Sequence, residues 1–378
     1  MKLLIPVQAG LESVVKRQLA KIGYPKAPAE NGRIAVDGSW QDVARLNVFL
    51  RSGERVLICV GEFVATTFDE LYDGFYAVEW ERYLETDAKI LMDGKSYQSA
   101  LAAVKAMGGV AKKAIIRRLA DKKRSGRATF PETGARTIVG FSVYRDKVTV
   151  TIDTSGDGLH KRGYRSLAYS APLKETLAAA LIDLSFYHPE TQIEKPFADV
   201  FCGSGTLPIE AAMRAKGIAP GLLRNFDFTA WSCAQKGVLE RAKQEALDLQ
   251  KLSAKPNIYA ADISKDAISI AKYHAKRANV DDCIRFACAD MRHFSTAEKY
   301  GVMISNPPYG ERLMGETEVK ELYAALGKTF FALPDWSGYF LTSFEDFERH
   351  FKKRADAKKR LNNANLACTL FEYYGKKP

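Results

Sequence analysis

The stretch of the chain most clearly equipped for chemistry is Ile304-Ser305-Asn306-Pro307-Pro308-Tyr309-Gly310. Two adjacent prolines continue neither a strand ladder nor a helix, so they hold a rigid loop with its carbonyls turned outward. Such a loop suits an exocyclic amine on an aromatic base, whose lone pair is delocalised into the ring. Accepting hydrogen bonds from the two N–H groups, at the Asn306 side-chain oxygen and the Pro307 carbonyl, favours a pyramidal nitrogen able to attack a methyl sulfonium. Pro308 stiffens the loop and Gly310 allows close approach. Tyr309 offers a face for stacking the base, worth about 1–3 kcal/mol. Alignment does most of the work; neither a metal nor a strong base is needed. The proton leaves after methyl transfer, when the nitrogen is acidic.

Three acidic stretches complement this loop. Asp199-Val200-Phe201-Cys202-Gly203-Ser204-Gly205-Thr206 reads as a strand end followed by Gly-x-Gly and a helix start, where backbone can approach a ligand and turn sharply. Pro208 stands where a dinucleotide fingerprint has its third glycine, and no Gly-Lys-[Ser/Thr] follows, so neither a dinucleotide site nor a phosphate loop fits. A carboxylate at Asp199 suits a cationic amino-acid moiety better than a pyrophosphate. Asp262-Ile263 follows the next strand pattern. There an acid can accept from two ribose hydroxyls, or cap the next helix, a role Ser264 could share. Asp290-Met291 follows the strand after that, where the acid can accept from an adenine amine while Met291 packs on the ring.

The elements that must position these residues alternate. From about Pro172 onward the pattern is helix 173–186, strand 197–201, helix 207–216, strand 257–261, helix 265–278, strands 284–288 and 302–305, helix 319–333 and strand 338–342. That alternation argues an open parallel α/β sheet, whose ligands bind at the carboxyl ends of the strands. The acidic loops and the Asn-Pro-Pro-Tyr loop all fall there. Earlier, strands at 2–7, 33–36 and 55–64 surround a helix at 11–22. A strand at 88–92, helices at 97–107 and 110–121, and a hairpin of 137–144 with 147–153 turning at Arg145-Asp146 make a second unit.

With 378 residues the chain is long enough for two or three domains of about 100–200 residues each. Mean hydropathy is -0.22, and no apolar run approaches the roughly 20 residues that cross a bilayer. Lys2–Val7 reads as a first strand rather than a signal peptide. Six scattered cysteines without a Cys-x-x-Cys pair suggest neither a zinc site nor disulfides and fit a cytoplasmic protein. Net charge is +11. Eight cations fall between Lys112 and Arg127 (Lys112, Lys113, Arg117, Arg118, Lys122, Lys123, Arg124 and Arg127) against Asp121 alone, and seven between Arg349 and Arg360 against Asp356. Either run could be a solvated helix face. Two of them flanking an enzyme-like core point to nucleic acid.

The glycine loop, Asp262, Asp290 and Asn306–Gly310 resemble the motifs of Rossmann-type amino-methyltransferases. Leu159-His160-Lys161-Arg162-Gly163-Tyr164-Arg165 and Ala171-Pro172-Leu173-Lys174-Glu175-Thr176-Leu177-Ala178 narrow the likeness to bacterial THUMP-domain RNA methyltransferases, which include the methyltransferase half of the large-subunit rRNA guanine-N2 enzyme. The resemblance implies an α/β fold: a C-terminal Rossmann-like class I methyltransferase domain (172–378) behind an α+β region made of a ferredoxin-like domain (1–65), a THUMP RNA-binding domain (66–155) and a linker (156–171). It implies S-adenosylmethionine (SAM) as cofactor, held by Lys174, Glu175, Thr176, Asp199, Cys202, Gly203, Ser204, Gly205, Thr206, Asp262, Ile263, Asp290, Met291 and Asn306. Asn306, Pro307, Pro308 and Tyr309 would hold a flipped guanine. RNA would lie on Lys112, Lys113, Arg117, Arg118, Lys122, Lys123, Arg124, Lys161, Arg162 and Arg165. The expected product is N2-methylguanosine, in large-subunit rRNA ahead of tRNA. An adenine-N6 DNA methyltransferase shares the loop chemistry but would need a DNA-reading domain, which the sequence does not suggest. A catalytically silent RNA-binding assembly factor would not need every motif intact.

Overall fold

The computed structural model describes residues 1–30, 32–122, 130–167, 173–309 and 315–376. In the amino-terminal half, apolar alternation folds as β1 (Lys2–Pro6), β2 (Ala29–Glu30), β3 (Arg33–Asp37), β4 (Leu57–Val64), β5 (Lys89–Tyr97), β6 (Arg136–Tyr144) and β7 (Lys147–Asp153). Helices α1 (Glu12–Lys21), α2 (Trp40–Phe49), α3 (Phe68–Ala77) and α4 (Val104–Lys122) accompany them. The strands make one sheet in the order β2-β3-β1-β4-β7-β6-β5. Strand β4 pairs antiparallel with both β1 and β7. The sheet therefore runs unbroken across the 65/66 boundary expected from sequence.

Two details differ from expectation for a physical reason. Gly108-Gly109 reads as a break between two helices, yet α4 is continuous. Gly108 is buried against Met92 of β5, and the helix runs through both glycines because burial of Met107, Ala111, Ala114 and Ile115 on one face outweighs the roughly 1 kcal/mol that each glycine costs a helix. Tyr97 is not helical; it ends β5 and stacks on Tyr144, with ring centroids 6.1 Å apart. The hairpin turn is as read: Arg145 (φ 49°) and Asp146 (φ 63°) are both left-handed, as a two-residue turn between twisted strands requires.

The second half contains α5 (Glu175–Leu184), β8 (Phe197–Asp199), α6 (Thr206–Ala215), α7 (Val238–Asp248), β9 (Ile258–Asp262), α8 (Lys265–Arg277), β10 (Ile284–Cys288), β11 (Val302–Ser305), α9 (Glu316–Phe331), β12 (Ser337–Thr342), α10 (Phe347–Phe351), β13 (Ala357–Asn363) and β14 (Leu366–Tyr373). The order is β10-β9-β8-β11-β12-β14-β13. The first five strands are parallel, and β14 returns antiparallel to β12 and β13. Strands β8 and β11 are buried along their whole length, as parallel strands covered by helices on both faces are. The Arg349–Arg360 cations lie on the end of α10, the following loop and β13 rather than on one helix face. Lys358 pairs with Glu348 and sits 5.5 Å over the Phe371 ring.

The halves are bolted together. Arg45 of α2 makes two 2.8 Å hydrogen bonds to Glu245 of α7. The Gly221 amide donates to Val48 O at 2.9 Å, where a Cβ on Gly221 would lie 2.6 Å from Asn47 O. Among the described residues no helix is long and apolar enough to cross a membrane.

Candidate active site

Strand order reverses between β8 and β11. These neighbours pair in parallel (Val302 with Phe197, Met303 with Ala198), and a ligand crevice opens at the carboxyl ends of strands at such a switch point. Asp199 ends β8 and Ser305 ends β11. The Ser305 hydroxyl donates to Asp199 Oδ1 at 2.7 Å and accepts from the Val200 amide at 3.1 Å. The Phe201 amide also donates to Asp199 Oδ1, at 3.1 Å. Only 2 % of Asp199 is exposed. Burial, opposed by these hydrogen bonds and reinforced by the nearby Asp262 carboxylate, pushes its carboxyl up to about 7.

The glycine loop is held from behind. Gly205 (φ +86°) precedes α6, and a Cβ there would lie 3.0 Å from Ala271 Cβ of α8. Backbone freedom and close helix packing therefore both require glycine. The buried His274 of α8 donates from Nδ1 to Ser204 O at 3.2 Å. Cys202, Ser204 and Thr206 are buried in the loop and helix start. Asp262 accepts from the Gly203 amide and the Ser264 amide, both at 2.9 Å. The cap of α8 is Ser264, whose hydroxyl accepts from the Ala267 amide, so Asp262 fastens the glycine loop instead. Beside it Ile263 is 73 % exposed.

Asp290 heads a short 3-10 turn, Met291–His293, accepting from the Arg292 amide and pairing with its guanidinium at 2.9 Å. Met291 corrects the reading from sequence. It is 3 % exposed and turned into the core against Thr329, so the apolar surface at this end of the sheet is Ile263. Lys174 caps α5; Glu175 and Thr176 are buried in its first turn. Thr176 donates to Glu54 of the amino-terminal half at 3.2 Å. Glu175 pairs with Arg165 at 3.4 Å, and burial raises its carboxyl above the usual range.

In the Asn-Pro-Pro-Tyr loop Pro307 is buried and Asn306, Pro308 and Tyr309 are half-buried. The Tyr309 hydroxyl donates to Asn306 Oδ1 and lies beside Asn363 and Cys368 of the β13–β14 hairpin, and burial holds it well above the ordinary phenol range. The expected free acceptor on Asn306 is thus occupied by its own loop. Pro308 O accepts from Tyr323 of α9 at 2.8 Å. No described residue bonds the Pro307 carbonyl. Gly310 and Pro172 lie outside the described residues.

The expected RNA-facing cations divide. Lys113, Arg117 and Lys122 are exposed along α4, and Lys161 is exposed beside Asp157. Lys112 is engaged by Glu132 and Ile90 O, and Arg118 by Glu81 through two hydrogen bonds of 3.1 and 2.7 Å. Arg162 is the clear correction. It is 1 % exposed and bonds Glu210, Leu159 O and Arg51 O, because the linker dives between the halves there. Arg165 also turns inward, to Thr206, Leu173 O and Glu175. Lys123, Arg124 and Arg127 lie outside the described residues. Sequence reasoning missed Ser305, His274, Tyr323 and Glu54. Ser305 could have been flagged as a lone hydroxyl ending an apolar strand, and His274 as a polar residue within the apolar stripe of Ala267, Ile268, Ala271 and Ala275.

Residues 162–372 match the family described as RMKL-like, methyltransferase domain; residues 2–57 match the RlmL ferredoxin-like domain and residues 65–153 the THUMP domain. YpsC of Bacillus subtilis, provisionally named an RNA methyltransferase, is 38% identical over 97% of this chain and 94% of its own length. The ribosomal RNA large subunit methyltransferase K/L of Psychromonas ingrahamii is 31% identical over 98% of this chain. That match takes in 49% of the relative, so the chain spans about half its length. Among solved structures, SMU.472, provisionally described as a methyltransferase and complexed with SAH, superposes with a TM-score of 0.92 at 38% identity over 100% of this chain and 98% of that one. A Listeria monocytogenes protein whose description predicts an N6-adenine-specific DNA methylase superposes equally, at 0.92, with 43% identity over 99% and 96% of the two chains.

Proposed function

The chain belongs to the RMKL-like methyltransferase family, and from that premise we propose that it transfers the methyl group of SAM to the exocyclic N2 amine of a guanosine in RNA, in large-subunit rRNA ahead of tRNA. The observation that carries this reading is the Ser305–Asp199 hydrogen bond of 2.7 Å. It ties the strand end that carries Asn306 to the strand end that carries the buried acid, so acceptor and cofactor sites share one crevice.

The residues fit the cofactor. Asp199 is a desolvated carboxylate whose neighbouring charge is another acid, and a cationic amino group would relieve both. Asp262 has each oxygen on one amide, leaving lone pairs for ribose hydroxyls. Ile263 and Asp290 flank the adenine position, and Lys174–Thr176 closes the wall behind. When bound, SAM supplies an electrophilic methyl on its sulfonium. The chain holds the nucleophile: Asn306 Oδ1 and the Pro307 carbonyl accept from the two N–H groups of the amine. The Tyr309 hydroxyl gives up Asn306 as the base enters and its ring becomes the stacking face. Pro308, fixed by Tyr323, keeps the loop from yielding.

Transfer to adenine N6 in DNA is the second reading, since that amine presents the same two N–H groups and the Listeria protein's description points that way. The exposed cations of α4, the THUMP match and the names of YpsC and the K/L relative support RNA. The deciding experiment is transfer of labelled methyl from SAM to nucleic acid of cells lacking the protein. Large-subunit rRNA, small-subunit rRNA, tRNA, pre-ribosomal particles and DNA are compared, with nucleoside analysis. N2-methylguanosine in large-subunit rRNA is the expected product. The same nucleoside in tRNA moves the substrate; N6-methyladenine in DNA overturns the reading. Cofactor binding with no label anywhere would instead favour a silent RNA-binding assembly factor.

A further inference from the structure

The aromatic pair at one corner of the first sheet takes no part in the methyl-transfer site. Tyr97 ends β5, the edge strand, and its register partner Tyr144 ends β6. Their ring planes lie 4° apart. The two strands turn one face to α3 and α4, where Ile90, Val139, Phe141 and Val143 are buried in the core. On the opposite face Lys89, Leu91, Asp93, Lys95 and Tyr97 of β5 are all exposed, so that face is open to solvent along the edge. Tyr97 is 65 % exposed and Tyr144 38 %, which leaves a large aromatic surface in water.

The corner holds these rings still. The Tyr97 carbonyl accepts from the Ser99 hydroxyl at 3.0 Å and from the Arg145 amide at 3.4 Å. Ser99 Oγ accepts in turn from the Asp146 amide at 3.1 Å, and Asp146 Oδ1 from the Ala100 amide at 2.7 Å. Gln98 (φ 51°), Arg145 (φ 49°) and Asp146 (φ 63°) are all left-handed, a conformation that glycine adopts more cheaply. What arginine supplies at its turn position is a guanidinium, 5.1 Å over the Tyr144 ring and hydrogen-bonded to Gln98 Oε1 at 3.4 Å.

Two more cations flank the rings. Lys95 lies two residues back on the face of Tyr97, and Lys147 stands opposite Tyr144 in register. Both are exposed and neither has an ion pair to a described residue. The nearby acids are engaged or distant: Glu62 pairs with Lys2 at 2.8 Å, Asp146 holds the Ala100 amide, and Asp93 is four residues, about 13 Å, back along β5. Lysine is depleted where proteins bury surface against each other, so this rim argues against a protein partner. Aromatic faces beside cations are the combination that binds single-stranded nucleic acid, bases on the rings and phosphates by the cations. We propose that Tyr97 and Tyr144 form a stacking platform for an unpaired stretch of the RNA, away from the nucleotide that is methylated, with Lys95 and Lys147 beside its phosphates. The stretch must be unpaired, since only a base freed from its own stack can offer a face to a ring. The proposal rests on the RNA reading above.

The test irradiates the wild-type protein with methyl-accepting RNA that carries 5-iodouridine in its unpaired stretches. A base stacked on a ring couples to it, so the crosslink should map to Tyr97 or Tyr144. Tyr97→Ala should raise the RNA KM about tenfold, the loss of roughly 1.4 kcal/mol of binding, with kcat and SAH binding unchanged. Tyr97→Phe should keep the wild-type KM and Tyr97→Leu should not. Stacking releases no counterions, so the slope of log affinity against log salt should stay as in the wild type. An unchanged KM for Tyr97→Ala overturns the platform and leaves the RNA reading standing. Tyr97→Leu that behaves like Tyr97→Phe also overturns it, because the contact would then be apolar rather than a stacked base. Tyr97→Ala that methylates naked RNA normally but fails on pre-ribosomal particles would mark a protein-docking surface instead. Wild-type protein that labels DNA and no RNA sinks both readings, and that result is read before any variant is made.

Discussion

The charges proposed to act in the two halves are held in opposite ways, although the first sheet also buries one acid, Asp153, against Arg55. Around the second sheet the decisive charges are out of water: Asp199 behind the strand switch, and Arg162 with Glu210, both about 1 % exposed, where the linker meets α6. On the first sheet the cations of α4 with no ion pair to a described residue, Lys105, Lys113 and Lys122, stand in solvent, and Arg117 is only loosely tied to Asp121 at 65 % side-chain exposure. A buried charge that loses its partner costs about 3–5 kcal/mol, so the pair tolerates one geometry. An exposed one is screened within a Debye length of about 8–10 Å and acts only in company. The difference suits the two tasks proposed here, alignment of reacting atoms on one side and a salt-sensitive grip on a polyanion on the other.

The sharpest way to break that comparison is to remove one member of the buried pair. Arg162→Leu leaves Glu210 without its guanidinium and should lower unfolding free energy by about 3–5 kcal/mol, while Arg162→Leu with Glu210→Leu should recover much of it. Denaturant titration reads both. A single-variant cost below about 1 kcal/mol, the range of exposed pairs, would mean that water reaches the site and the contrast between halves is false. The next largest effect is on catalysis. Asn306→Ala should cut kcat about 100- to 1,000-fold, the usual cost of losing one preorganised hydrogen-bonding group, with SAH affinity little changed by calorimetry. An equal collapse of SAH affinity would move Asn306 from acceptor site to cofactor site.

Asp199 sharpens the comparison through pH. Its carboxyl is raised to about 7 in the cofactor-free fold, above its unfolded value. Its contribution to stability is therefore complete below the ordinary carboxylate range and is lost as pH rises through 7. A bound ammonium favours the ionised form, so SAH affinity should move the other way. It should climb with pH by at most about tenfold per unit below 7 and level off above. Asp199→Asn should flatten that profile. A flat profile in the unaltered protein would place the cofactor's amino group elsewhere.

Much of the second half was legible because its signals are local. Gly-x-Gly, an acid at each strand end and a double proline each announce themselves within a few residues, and the strand alternation puts them at one edge. What was hidden depends on partners far along the chain. Arg162 looks like a linker cation until Glu210 and the Arg51 carbonyl surround it. Met291 looks like a ring-packing side chain until α9 covers it. The break expected at Gly108 fails because the buried face of Met107, Ala111, Ala114, Ile115 and Leu119 holds the helix against other elements. The hairpin β13–β14, which supplies Asn363 and Cys368 beside Tyr309, was obscured by the cations that decorate it.

The smallest effects belong to α4, and they test the other side of the comparison. Lys113→Ala, Arg117→Ala and Lys122→Ala should each raise the RNA KM only severalfold. Each should reduce the slope of log affinity against log salt by about 1 if its cation meets a phosphate. The triple variant should then lose about 3 of the slope, with kcat unaltered. Arg118→Ala is the internal control on the same helix. Its guanidinium already holds Glu81 and is 14 % exposed, so it should cost about 0.2–1 kcal/mol of stability and leave the slope alone. If the triple variant keeps the full slope, the strand does not lie along α4. The phosphate contacts would then have to be sought off that helix, and its exposed charge would be a matter of solvation only.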